Sequence, residues 1–253
     1  MGGKPAKIRL DRLLVERGLA ATPEIAQSLV LSGDVLIDGT PVDKAGTLVA
    51  PGAAVRLRGQ DHPYVSRGGV KLKGALDAFG LEVRGRIALD VGASTGGFTD
   101  CLLQEGVSRV YAVDVGYGQL AWKLRQDDRV VPVERTNIRR FDGSLLEEDV
   151  DLVTIDVSFI SLRRVLPAVL GLLHRETLLL MLVKPQFEVA KGDVGKGGVV
   201  RDPEKQEAAL RGIEQFCREA GLEVLGTCES PVCGPAGNRE FFVYAKKGEG
   251  RNG

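Results

Sequence analysis

The feature that most constrains this chain is an unbroken apolar run, Leu178-Leu179-Leu180-Met181-Leu182-Val183, closed by Lys184. A run without polar alternation suits a strand covered on both faces, the position of a central strand in a parallel sheet. Comparable runs occur at Ile87–Val91, Val110–Asp114, Val130–Val133 and Leu152–Asp156. Helical patterns fill the gaps at about Val70–Phe79, Phe98–Glu105, Gln119–Arg125, Leu162–Leu173 and Pro203–Ala220. Strands alternating with helices predict an open, mostly parallel, doubly wound α/β sheet, with Glu223–Glu229 and Glu240–Ala245 as a closing strand pair.

The first part of the chain has a different rhythm. Leu10, Leu13, Leu14 and Val15 recur at helical spacing until Gly18, and Thr22-Pro23 opens a second helix that carries Ile25, Leu29 and Val30 to about Ser32-Gly33. Short strands follow at Val35–Ile37 and Ala54–Leu57, with an Asp38-Gly39 turn. The expected organisation is a small α+β module over 1–58, a linker over 59–69, the large α/β domain over 70–247 and a flexible tail over 248–253.

Composition excludes several classes. With 43% hydrophobic residues in 253 and 34 basic against 34 acidic side chains, the chain is neither disordered nor strongly polyionic. Its longest apolar stretch, Val165–Leu173, is broken by Pro167 and Gly171 and is too short to span a bilayer. No apolar segment follows Lys4, Lys7 and Arg9, so no signal peptide is expected, and the predicted location is cytoplasmic. Cys101, Cys217, Cys228 and Cys233 form no C-x-x-C pair, which predicts free thiols and no metal site. Charge is unevenly spread: residues 1–74 carry 11 basic and 7 acidic groups, and the remainder 23 and 27. A basic end points weakly to a polyanionic partner.

The first strand runs into Asp90-Val91-Gly92-Ala93-Ser94-Thr95-Gly96-Gly97-Phe98 and then a helix. In a doubly wound sheet this turn lies where ligands bind, and its glycines let the backbone approach one. A pyrophosphate fingerprint needs glycine where Ser94 stands, which disfavours a dinucleotide oxidoreductase; Asp90 suits a cationic ligand instead. Asp114 ends the next strand, where a carboxylate can accept ribose hydroxyls. A glycine-rich turn without a ligand is the plainer alternative. Asp156 and Lys184 end neighbouring strands and can share one crevice, with Lys71 and Glu240 completing the group. Lys184 then serves as a base or electrostatic stabiliser, or is merely a strand-end lysine paired for neutrality.

These motifs resemble the TlyA family of bacterial rRNA 2′-O-methyltransferases, historically called hemolysins. The resemblance is carried by Tyr64-Val65-Ser66-Arg67-Gly68-Gly69-Val70-Lys71, the 92–99 loop, Asp114-Val115-Gly116-Tyr117-Gly118-Gln119-Leu120, Val183-Lys184-Pro185-Gln186-Phe187-Glu188 and Gly234-Pro235-Ala236-Gly237-Asn238. It implies a Rossmann-like, FtsJ-like class I methyltransferase domain whose Lys-Asp-Lys-Glu tetrad falls on Lys71, Asp156, Lys184 and Glu240. It also implies S-adenosyl-L-methionine on Asp90, Gly92, Ala93, Ser94, Thr95, Gly96, Gly97, Phe98 and Asp114. The small domain resembles the alpha-L RNA-binding module, which makes Lys7, Arg9, Arg12 and Arg17 the candidates for contact with rRNA in ribosomal subunits, with Arg67 of the linker as a further candidate. No membrane, metal or obligate protein partner is implied. The loop Ala190–Val200 is either a lid or an ordinary surface loop, and a non-catalytic ribosome assembly factor on the same scaffold is the remaining alternative.

Overall fold

A computed structural model of the protein describes residues 7–20, 22–31, 33–57 and 62–248. Ser32, part of the expected linker (59–61) and the expected tail beyond 248 lie outside the described residues. The small module contains β1 (Ile8–Arg9), α1 (Leu10–Glu16), α2 (Pro23–Leu31), β2 (Val35–Ile37), β3 (Thr40–Pro41), β4 (Leu48–Val49) and β5 (Val55–Leu57). Leu10, Leu13 and Leu14 of α1 meet Ala26 and Val30 of α2 in a closed apolar cluster. Thr22 Oγ1 accepts the Ile25 amide at 3.3 Å at the start of α2. Asp38 and Gly39 both have positive φ, 50° and 81°, as the predicted tight hairpin between β2 and β3 requires. The pairing of β1 with β4 is too short to leave a period in the sequence.

The large domain contains α3 (Arg67–Phe79), β6 (Ile87–Val91), α4 (Gly97–Gln104), β7 (Arg109–Val113), α5 (Trp122–Arg125), β8 (Val130–Val133), β9 (Leu152–Ile155), α6 (Leu162–Leu170), β10 (Leu178–Val183), α7 (Pro185–Glu188), α8 (Pro203–Glu219), β11 (Leu222–Glu229) and β12 (Phe241–Lys247). The sheet order is β11-β12-β10-β9-β6-β7-β8, parallel except where β12 runs against β10 and β11. Alternate residues of the strands feed two separate clusters. Leu89, Ile155 and Met181 pack with α6 and α8, while Ala88, Leu152 and Leu180 pack with α3 and α4. This is the doubly wound sheet expected from the apolar runs.

Two boundaries differ from expectation for local reasons. α3 begins at Arg67, inside the expected linker, because Ser66 caps it by accepting the Gly68 amide at 3.3 Å. Gly69, which read as linker, is a packing residue: a side chain there would run into the Tyr64 ring. Past Lys184, Pro185 opens the short α7 that the sequence did not reveal. Glu188 at its end accepts Leu162 N–H at 2.8 Å and Ser161 Oγ–H at 2.6 Å, so α7 is tied to the start of α6.

α3 crosses α4 at a contact between glycines. A Cβ on Gly97 would lie 3.0 Å from Gly68 Cα and closer still to Ser66 Oγ. Gly97→Ala is therefore expected to destabilise the protein by about 1–3 kcal/mol through overpacking. That lowers the thermal midpoint by roughly 2–10 °C; an unchanged midpoint by calorimetry would show that the crossing yields without cost.

Candidate active site

The turn from β6 into α4 is shaped by what it must touch. Gly92 has φ +86°, and any Cβ on it would collide with the Asp156 carbonyl oxygen. Ser94 is left-handed at φ +51° and is held there by its N–H, which donates to Asp114 Oδ2 at 2.8 Å. The other Asp114 oxygen accepts the Gly116 amide at 2.7 Å. Each oxygen thus keeps acceptor capacity toward the crevice while the carboxylate staples loop to strand.

Asp90 turns the other way. It is fully buried, does not line the cavity, and accepts hydrogen bonds from Thr99 at 2.7 Å and Thr154 at 2.9 Å. Burial pushes its carboxyl up to about 6, the two threonines oppose the shift, and Asp156 and Asp114 add to it. Gly96 likewise lies beneath the loop, its φ of +96° leaving room for Leu120 and Leu124. Gly92, Ala93, Ser94, Thr95, Gly97, Phe98 and Asp114 do line the cavity.

The four tetrad residues converge on this cavity of about 570 Å³ as two ion pairs. Lys71, from α3, meets Glu240 at 2.6 Å, and both side chains are almost wholly buried. Burial pushes the Lys71 ammonium down, but Glu240 and Asp156 outweigh it and hold the group above the usual lysine value. Lys71 is therefore a fixed cation. Lys184, just past β10, meets Asp156 Oδ1 at 2.5 Å and donates to Ser158 Oγ at 2.8 Å. Burial pushes Asp156 up, yet Lys184 and Lys71 together hold it below the usual carboxylate range. Both cations line the cavity and are about equally buried; the pairs differ in their carboxylates, Glu240 being 1% and Asp156 21% exposed.

Other parts of the cavity wall include residues that the sequence did not single out. Phe159 is 68% exposed at its mouth, adopts φ +65°, and lies 5.3 Å from the Phe187 ring. A left-handed backbone at an exposed phenylalanine is uncommon and carries a strain of about 1–3 kcal/mol. The small module supplies Leu31, Asp43 and Lys44. Ser28 Oγ lies 3.2 Å from Ser94 Oγ, and Gly33 presses on Pro235. The loop over 190–200 is anchored by Asn238, which accepts Val200 N–H at 2.9 Å and donates to the Gly198 carbonyl at 2.9 Å.

The model of the FtsJ-like methyltransferase family matches residues 64–247, and the model of the S4 domain matches residues 8–55. The chain is 47% identical over 241 residues to the 16S/23S rRNA (cytidine-2′-O)-methyltransferase TlyA of Mycobacterium tuberculosis, covering 95% of this chain and 90% of that relative. The chain belongs to the TlyA family of FtsJ-like methyltransferases. A TlyA relative named Hemolysin A, from Brachyspira hyodysenteriae, is 37% identical over 238 residues, with 94% and 99% of the two chains covered. A solved structure from Streptococcus thermophilus, which also carries a hemolysin name, superposes with a TM-score of 0.74 at 42% identity, covering 96% of this chain and 90% of that one. Among the described residues no helix is long and apolar enough to cross a membrane, and no cluster of three or more His, Cys, Asp or Glu could hold a metal.

The basic residues expected to meet RNA are unequally free. Lys7 and Arg12 are exposed, whereas Arg9 pairs with Asp11 at 2.6 Å. Arg17 donates to the carbonyls of Pro51 and Ala53 at 2.6 and 2.8 Å, tying the turn before β5 to α1. Arg67 lines the cavity and donates to the Cys233 carbonyl at 2.8 Å.

The Asp90 environment generates a pH prediction. Its folded value is raised above the ordinary carboxylate value, so its contribution to stability is full below about pH 4 and is lost as pH rises through about 6. A shift of this size corresponds to about 3 kcal/mol. Asp90→Asn removes that penalty, so the variant should gain stability relative to the parent between pH 4 and 7 in denaturant melts. A difference that does not change with pH would mean Asp90 is ionised throughout.

Proposed function

We propose that this protein is an S-adenosyl-L-methionine-dependent methyltransferase that places a methyl on the ribose 2′-hydroxyl of a cytidine in rRNA. The observation that carries the reading is the exposed end of the Lys184–Asp156 pair, facing the cavity that the Gly92–Gly97 loop also lines. The naming of relatives as rRNA (cytidine-2′-O)-methyltransferases supports the substrate.

The residues present suit the cofactor. The Asp114 carboxylate retains capacity for a pair of ribose hydroxyls. Asp114 and Asp156 both act on the buried Asp90, and the field of these carboxylates favours a cation. When bound, the cofactor supplies an electrophilic methyl on a sulfonium that departs as a neutral thioether. A ribose hydroxyl is a weak nucleophile, and its proton must be lost as it attacks. Lys184, having first given its own ammonium proton to solvent, accepts that proton and is again an ammonium, which Asp156 stabilises. Proton transfer of this kind contributes ~10²–10⁴-fold, and holding the reactants in line adds more. Lys71, fixed as a cation by Glu240, steadies negative charge on the ribose side. Phe159 offers a flat apolar face on which a base splayed out of its stack can rest. Lys7 and Arg12 of the S4 domain, with Lys44, Arg67 and Arg139 at the cavity, give the RNA backbone a basic track.

The deciding experiment supplies methyl-labelled cofactor with unmodified bacterial small subunits, large subunits or free rRNA. The expected result is label in alkali-resistant 2′-O-methyl nucleotides, reduced at least 100-fold in Lys184→Ala. Cofactor binding without label on any substrate would favour an assembly factor. In a second measurement, Arg12→Ala should weaken binding to the RNA substrate and reduce the slope of log affinity against log salt by up to about 1. Binding that does not respond to salt would refute the RNA role of the S4 domain.

A further inference from the structure

Lys184 is held from two sides by one short piece of chain. β9 ends at Ile155, and the next residues run Asp156-Val157-Ser158. Side chains two apart on an extended segment share a side, and both Asp156 Oδ1 and Ser158 Oγ reach Lys184 Nζ, at 2.5 and 2.8 Å. Val157, between them, packs toward Gly92 instead. A lysine nitrogen has three tetrahedral positions beyond its stem. Asp156 alone would leave the group free to spin about Cε–Nζ. Ser158 Oγ takes one of these positions, Asp156 Oδ1 stands beside the nitrogen as its ion-pair partner, and all three residues line the cavity.

Exposure separates the partners. Lys184 is 8% exposed whereas Ser158 is an exposed residue, so the serine is the nearer of the two to solvent. A hydroxyl both donates and accepts, which the Asp156 carboxylate cannot do.

We propose that Ser158 is a positioning residue for this reaction: it aims the remaining position of Lys184 Nζ at the ribose 2′-oxygen and returns the acquired proton to water. The inference rests on Lys184 being the group that meets the ribose. The proton passes from Nζ to Ser158 Oγ while the original hydroxyl proton passes to a water molecule. Nζ regains its lone pair, the serine is unchanged, and the solvent holds the proton. The other charged groups around Lys184 are Asp156, Lys71 and Glu240, none of which the test alters.

The test compares Ser158→Ala, Ser158→Thr and Lys184→Ala in the full chain. Single-turnover methyl transfer is followed against pH at saturating RNA and cofactor, and the thioether product's affinity is measured by calorimetry. The Lys184 Cε resonance is titrated in ¹³C-lysine-labelled protein without RNA or cofactor. Ser158→Ala is expected to slow transfer about 10–100-fold, the scale of a small misplacement of a reacting group. RNA KM and product affinity should stay within about twofold, since Ser158 touches neither in this role. The Lys184 titration should move to lower pH, because a hydrogen bond to the ammonium is lost. Ser158→Thr, which keeps the hydroxyl, should restore both rate and titration. A folded Ser158→Ala with parental rate and titration overturns the inference, as does a loss of rate that threonine does not rescue. If Lys184→Ala itself transfers methyl normally, it is the reading of the reaction that has failed.

Discussion

A single backbone contact sets the geometry on which the chemistry depends. β6 and β9 are parallel neighbours, with Val91 opposite Ile155, so the chain leaves both strands at the same edge of the sheet. Gly92 has no side chain, and the Asp156 carbonyl occupies the space one would take. The loop that suits a cofactor and the strand end that carries Asp156 therefore meet main chain to main chain. β10, on the other side of β9, brings Lys184 to the same edge. Lys71 has to come from outside the sheet, and the Gly68–Gly97 crossing of α3 over α4 admits it. Small residues at both contacts convert a generic α/β topology into a defined site.

Electrostatics complete what the backbone begins. A lone buried charge is expensive, but two lysines and two carboxylates in one cavity compensate each other. The pairs differ in placement: Lys71–Glu240 is sealed, while Asp156 keeps about a fifth of its side chain exposed. The carboxylate of the first pair is closed to solvent, and that of the second is open to it. Beneath the loop, Asp90 is held by threonine hydroxyls rather than by a cation, which leaves it sensitive to every charge that arrives nearby.

Much of this was legible in the residues. Central strands announce themselves because both faces are covered, and the Asp90–Phe98 turn follows the first strand with its glycines in place. The convergence of Asp156 with Lys184 followed from adjacent strand ends, whereas the full tetrad was named through family resemblance. The remainder depends on tertiary contacts that leave no period. Gly68 and Gly69 read as linker because a glycine pressed under Tyr64 looks the same in sequence as a flexible one. Asp90 read as ligand-facing because alternation in a doubly covered strand cannot say which face is which. Ser158 and Phe159 follow a strand end in an unremarkable stretch, and only the left-handed turn at Phe159 sets them apart. Arg17 looked like a free basic residue until the turn at 51–53 was seen to occupy it.

The contacts between the two domains bear on how such a protein can be built and rebuilt. Leu31, Asp43 and Lys44 form part of the cavity wall, and Ser28 reaches the hydroxyl of Ser94. The S4 domain is thus a side of the cavity and not only an appendage to it. Exchanging it for another RNA-binding unit would change the cavity too, unless the newcomer reproduced a small residue opposite Pro235 and a polar one opposite Ser94. At this seam each half restricts the residues that the other can carry.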